Sequence, residues 1–131
     1  MRQMIFALIL ICTFATCKTS KTSTELTNSA WRCEAIKTAE GNQTLPTDAP
    51  ITIRFADNNV SGNAPCNLYN GTYRIASDSI KFSAMMTTKR ACMFSKLEMT
   101  YLQLLNEAQT QHLKGKKLII TSKSGQLIFV Q

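Results

Sequence analysis

Five cysteines, one histidine and eight carboxylates are the residues of this 131-residue chain with the widest chemical range. Nucleophilic catalysis needs a hydroxyl or thiol beside a base, and His112 is the one histidine available for that role. No acid stands near it in sequence, and no Ser or Cys lies in a nucleophile motif. A surface or half-buried histidine is therefore expected. A single histidine also excludes a multi-histidine metal site. The carboxylates are scattered, with no pair at motif spacing, and neither a Gly-rich phosphate loop nor an EF-hand loop is present. Met85, Met86 and Met93 could suit a soft metal. Without a multi-Met repeat or a supporting histidine they read better as core or rim packing. The expectation is a protein that is not an enzyme, with no cofactor and no metal.

The cysteines point instead to an address and a staple. Met1-Arg2-Gln3 is a short positive segment, and residues 4–14 form an apolar run. A membrane-spanning helix needs ~20 residues, so the run has signal-peptide length. It ends in Phe14-Ala15-Thr16-Cys17, which resembles a bacterial lipoprotein box. In such a box, small residues precede a cysteine that is acylated on sulfur and becomes the new N-terminus. Thr16 is bulkier than the usual residue and Phe14 replaces the usual Leu, so ordinary signal cleavage is the alternative. Residues 17–28 are rich in Ser, Thr and Lys and read as a flexible tether. The expected organisation is a signal peptide over 1–16, a lipidated Cys17 with its tether over 17–28, and one folded domain over 29–131.

Cys33, Cys66 and Cys92 remain after export, and an exported protein meets a disulfide-permissive compartment. Three cysteines allow three pairings. No C-x-x-C spacing supports a zinc or redox motif. Cys33 falls in an expected strand, on the face of Trp31, and reads as a buried apolar thiol. Cys66 and Cys92 sit in loop-like stretches where a bridge forms more easily. Such a bridge is worth about 3.5 kcal/mol in the loop-entropy account.

The elements that position these residues follow from periodicity. Residues 29–37 alternate as a strand with Trp31 inward; strict alternation puts Ile36 on the opposite face. Residues 51–55 alternate Ile51, Ile53 and Phe55 inward, then turn through Asp57-Asn58-Asn59 into a returning strand over 60–64. Residues 65–71 read as a loop, 72–76 and 79–82 as a hairpin, and 89–94 as irregular. Ser95-x-x-Glu98 has the form of a capping box. Leu97, Tyr101, Leu104, Leu105 and Ala108 then make one amphipathic helix near residues 96–109. A short strand over 112–114 and a closing hairpin over 117–123 and 126–131 complete the chain. The fold class is mainly β: a small antiparallel barrel of about eight strands, with the helix covering one opening.

Two blocks carry a family resemblance. Val60, Gly62, Cys66, Asn67, Tyr69, Gly71 and Tyr73, followed by Thr88, Lys89, Ala91 and Cys92, resemble the motifs of the META domain, the HslJ-like family. Trp31 and the closing hairpin with Leu118, Gly125, Leu127 and Phe129 fit the same pattern. Pro65 departs from it, standing where the family usually has Gly. The resemblance covers about residues 26–131. It implies a lipocalin-like barrel and an envelope address, often as a lipoprotein, with a role in envelope stress tolerance or maintenance. On their own chemistry, Gly62 and Gly71 suit bulges or positive-φ turns. Asn67 can tie a loop, and Tyr69 and Tyr73 can bury rings with paired hydroxyls.

Lys and Arg outnumber Asp and Glu, 15 to 8, for a net charge of +7. Lys114, Lys116, Lys117 and Lys123 surround one hairpin, and Lys89-Arg90 precede Cys92. The expected partners are a membrane, reached through the lipid anchor, and an envelope protein or anionic envelope surface. A solvated face that maintains solubility is the plainer account of the same charges. Nucleic acid is disfavoured by the export signal and the lack of a reading motif. The expected form is a monomer at the outer membrane or periplasmic face, with a soluble periplasmic or secreted protein as the alternative. Other readings are a barrel binding a small apolar ligand, or a partner-binding module such as a chaperone or hydrolase inhibitor.

Overall fold

The computed structural model describes residues 22–27 and 29–131. The expected signal peptide, Cys17 and the tether as far as residue 21 lie outside the described residues. In chain order the elements are helix α1 (Thr22–Thr27), strands β1 (Ala30–Thr38), β2 (Gly41–Asn42), β3 (Thr52–Ala56), β4 (Asn59–Asn63), β5 (Leu68–Ala76) and β6 (Ser79–Thr87), helix α2 (Ser95–Asn106), and strands β7 (Ala108–Lys114), β8 (Lys117–Ser122) and β9 (Gly125–Val130). Antiparallel ladders run β1-β3-β4-β5-β6-β7-β8-β9 and close through β1–β9. The result is a closed eight-stranded barrel, with β2 folded back on the far end of β1. Closure leaves no long unpaired edge.

The alternation seen in sequence fills the interior. Ile53 and Phe55 of β3, Ile80 and Phe82 of β6, Leu118 and Ile120 of β8, and Leu127 and Phe129 of β9 all point inward and are buried. In β1 the alternation slips. A register shift between Cys33 and Ala35 inserts a bulge, so Trp31, Cys33 and Ile36 all face the core. Strict alternation had put Ile36 outside; one extra residue in the strand reverses its face. At the β3–β4 turn, Asp57 and Asn58 have φ of 48° and 65°, the left-handed backbone that two-residue hairpins require.

Several boundaries differ from the sequence expectation, among them β6, which runs on to Thr87 instead of ending at residue 82. β5 begins at Leu68 instead of residue 72, because β4 pairs with it back to Asn63↔Leu68. α2 ends at Asn106, and Ala108 opens β7 opposite Ser122. β7 is accordingly a full strand of 7 residues. Residues 22–27, assigned to the tether, form α1, with Leu26 fully buried in the core. The Trp31 indole N–H reaches the Leu26 carbonyl at 3.4 Å.

The two helices close opposite ends. At the α1 end lie the start of β1, the turns at Asp57-Asn58, Ser77-Asp78 and Gly115-Lys116, and the C-terminus. At the α2 end lie the Asn63–Leu68 connection, the residues after β6, and the β8–β9 turn. Ser122 Oγ donates to the Leu104 carbonyl at 2.6 Å, tying α2 to that rim. The β6–β7 ladder is the thinnest, a single register pair Ser79↔Thr110, reinforced by Gln111 N donating to Asp78 O at 2.7 Å.

Candidate functional site

Cys66, Asn67, Thr88 and Cys92 of the motif converge at the α2 end around one buried carboxylate, whereas Val60, Gly71 and Tyr73 lie along the barrel toward the other end, with Tyr73 N donating to the Asn58 carbonyl at 2.9 Å. Glu98 lies in the first turn of α2 on its inward face. One of its oxygens accepts from the backbone N–H groups of Cys66 (2.7 Å) and Asn67 (2.8 Å), and the other from the Asn67 side-chain amide (2.5 Å). The same amide donates to the Arg90 carbonyl at 3.0 Å, while Asn67 Oδ1 accepts from Arg90 N (2.6 Å) and the Thr88 hydroxyl (2.9 Å). Asn67 thus joins three segments: its own loop, the Thr88–Arg90 stretch and α2. The capping box read from Ser95 and Glu98 does not form. Phe94 is the N-cap, without a side-chain bond, and Ser95 Oγ donates to Cys92 O at 2.5 Å. Glu98 turns inward because two loop amides and an Asn amide need an acceptor where water does not reach.

The bridge Cys66–Cys92 closes the same site, with Cα atoms 5.7 Å apart across 26 residues of sequence. It is the bridge the loop placement favoured. Cys33 stays a buried free thiol. Burial pushes its pKa up to about 12, against a weaker opposing effect of its bond to the Ala35 carbonyl. That thiol is protonated at neutral pH and a poor nucleophile.

Beneath the lock, Tyr69 donates to the Thr52 carbonyl at 2.9 Å and takes the Tyr101 hydroxyl at 2.8 Å. Burial raises the pKa of both phenols, most strongly for the fully buried Tyr101. Tyr73 is half-buried, its ring edge-on to Phe55 at 4.9 Å. Gly62 and Gly71 do not adopt positive φ, which belongs to Gly41 and Gly115 among the glycines. Close approach explains them instead. A Cβ at Gly62 would strike the Thr52 carbonyl, and one at Gly71 the Met85 side chain and Ser83 carbonyl. Pro65 is buried, and its loop is fastened by the two neighbouring amides on Glu98. Ala91 is exposed between Arg90 and Cys92.

His112 is exposed on β7, and among the described residues no group of three or more His, Cys, Asp or Glu is placed to hold a metal. The barrel interior is filled by Trp31, Phe55, Tyr101 and Phe129. Open surface clefts lie outside it. One of about 180 Å³ runs beside Pro50, Asn63, Leu68 and Arg90. Another, of about 260 Å³, lies between Glu40 and α2. Around the bridge, Leu68, Met86 and Met93 are 55%, 66% and 89% exposed. Sequence reasoning found Asn67 and the cysteines but missed Glu98, whose partners lie 31 and 32 residues away.

A closed small barrel, stapled at one end by a bridge and a buried carboxylate–amide lock, is the class this geometry defines. The chain belongs to the META domain family, whose model matches residues 24–131. No curated protein matches the sequence. Three solved structures share the fold. A Burkholderia xenovorans protein solved by NMR is 23% identical with a TM-score of 0.70, over 83% of this chain and 85% of that one. A second NMR structure is 19% identical with a TM-score of 0.64, over 82% and 92%. A DUF4847 family protein from Bacteroides vulgatus, seen by crystallography, is 12% identical with a TM-score of 0.66, over 83% and 96%. The family and the disulfide fit an envelope or periplasmic location. No helix of the described residues is long and apolar enough to cross a membrane.

Proposed function

We propose that this protein is a non-enzymatic, lipid-anchored envelope protein that serves envelope stress tolerance or maintenance. The observation that carries the reading is the use made of the motif residues. Asn67, Thr88, Glu98 and the Cys66–Cys92 bridge spend their bonding capacity on one another. Spent in this way they make the barrel durable, which supports a structural use of the motif. The apolar run ahead of Cys17 and the disulfide support export. The filled interior favours this reading over a carrier of small apolar ligands, which needs a chamber of a few hundred Å³.

Intact mass of the protein from its native membrane fraction, with a strain lacking the gene challenged by heat and envelope-permeabilising agents, tests the proposal. A diacyl or triacyl mass beginning at Cys17, with loss of envelope integrity in the mutant, is expected. An unacylated mass would leave a soluble exported protein, and an unaltered envelope would remove the stress role. A second reading, a docking module for an envelope protein, draws on the exposed Leu68, Met86 and Met93 around the bridge. Crosslinking from Met93 would identify such a partner.

A further inference from the structure

We infer that the β7–β8 tip, carrying Lys114, Lys116 and Lys117, is a second contact with the membrane, electrostatic and selective for an anionic bilayer surface. The inference rests on the acyl anchor proposed above and goes beyond it to orientation. Five residue steps separate Cys17 from Thr22, where α1 begins. Fully extended, they span no more than about 17 Å. The folded α1 therefore shortens the expected tether by about half. A barrel strand of 9 residues, such as β1, is about 30 Å long. An anchor at Cys17 thus keeps the α1 end near the bilayer and leaves the α2 end facing away.

The chain's own bonds say which part of the α1 end meets that surface. Gln131 N donates to the Lys116 carbonyl at 3.1 Å, and the Gln131 side-chain amide donates to Ser29 Oγ at 2.7 Å. The lysine tip is thereby fastened beside the residue that leads out of α1. Lys114, Lys116 and Lys117 are all exposed. Among the described residues only Lys117 has an ion-pair partner, Glu34 at 3.2 Å. Glu25 on α1 and Asp57 and Asp78 on the neighbouring turns oppose this positive charge, and the lysines dominate at the tip itself. Each lysine near an anionic leaflet contributes a roughly fivefold preference, screened by salt. The lock and the exposed methionines then face the aqueous compartment.

The test uses the full chain purified from membranes, with its acyl state read by intact mass, in nanodiscs of phosphatidylcholine alone or mixed with phosphatidylglycerol. Spin-labelled headgroups broaden the NMR signals of nearby amides. Gly115 and Lys116 should broaden in the anionic discs far more than Ser124 and Gly125 at the opposite end. High salt should remove the broadening that phosphatidylglycerol adds at the tip and leave what the anchor alone gives, and Lys114→Gln with Lys116→Gln should weaken that added part roughly fivefold per lysine. An acylated chain whose two ends broaden equally, or whose tip ignores phosphatidylglycerol, overturns the second contact while the anchor stands. A chain with no acyl mass overturns the anchor, and this inference with it.

Discussion

The two ends of the barrel are closed by opposite means. At the α2 end the buried Glu98 carboxylate pairs with the buried Asn67 amide, the Tyr69 and Tyr101 hydroxyls pair with each other beneath them, and the Thr88 hydroxyl and the Cys66–Cys92 bridge close the rim. At the α1 end one leucine plugs the core, helped by a single indole hydrogen bond of 3.4 Å. Polar pairing is directional, so the α2 lock specifies where three segments lie and penalises any other arrangement. An apolar plug excludes water but specifies little. The lock therefore governs whether the barrel forms, while the plug governs how α1 attaches to a barrel already formed.

The largest effect should come from Glu98→Ala. It strands two backbone amides and the Asn67 side chain at once, and should cost about 3–5 kcal/mol. Denaturant unfolding would read this as a lower midpoint at unchanged slope. Glu98→Gln keeps one acceptor oxygen and should cost about half as much. Removing the bridge by Cys66→Ser with Cys92→Ser should cost about 3.5 kcal/mol in the loop-entropy account. Calorimetry of the oxidised and reduced forms checks it. Leu26→Ala should cost about 2–3 kcal/mol, limited because α1 can detach without unfolding the barrel. Hydrogen exchange should then rise in residues 22–27 and not in β5 or β9. A global loss equal to that of Glu98→Ala would break the comparison.

An effect smaller for each single group should appear at alkaline pH. Cys33, Tyr69 and Tyr101 all have raised pKa values in the fold, chiefly through burial. Their stabilising contribution is complete below the unfolded values, 9.0 for the thiol and 10.0 for the phenols. Above them the unfolded chain releases protons that the native one retains, so stability falls as pH rises. Each group contributes up to about 1.4 kcal/mol per pH unit. Tyr101→Phe should flatten that slope, as measured by urea unfolding between pH 8 and roughly 11.

Much of the barrel was legible because periodic burial writes itself into sequence. β3, β8, β9 and the inward face of α2 follow from alternation and from the spacing of Leu97, Tyr101, Leu104 and Leu105. What escaped was set by tertiary partners. The bulge in β1 reverses Ile36 without any glycine or proline to mark it. Glu98 matches a local capping pattern, and nothing local shows that loop amides 31 and 32 residues earlier compete for it. Leu26 is a lone apolar residue in a polar stretch, so composition averaged over residues 17–28 conceals it. Each of these misses is a case of long-range packing overriding a local preference.

The least stability should be lost at the lysine tip, and that smallness is informative. Lys114 and Lys116 are exposed and make no ion pair among the described residues. Replacing both with Gln should leave the unfolding midpoint within about 0.5 kcal/mol of the parent. Lys117 is left in place because its pair with Glu34 would confound the measurement. Mutual repulsion between the lysines, relieved by the change, should make the shift slightly stabilising at low salt and nil at high salt. A loss above about 1 kcal/mol would mean that the tip holds the barrel together, as the lock does at the other end. The two ends would then differ in chemistry but not in purpose.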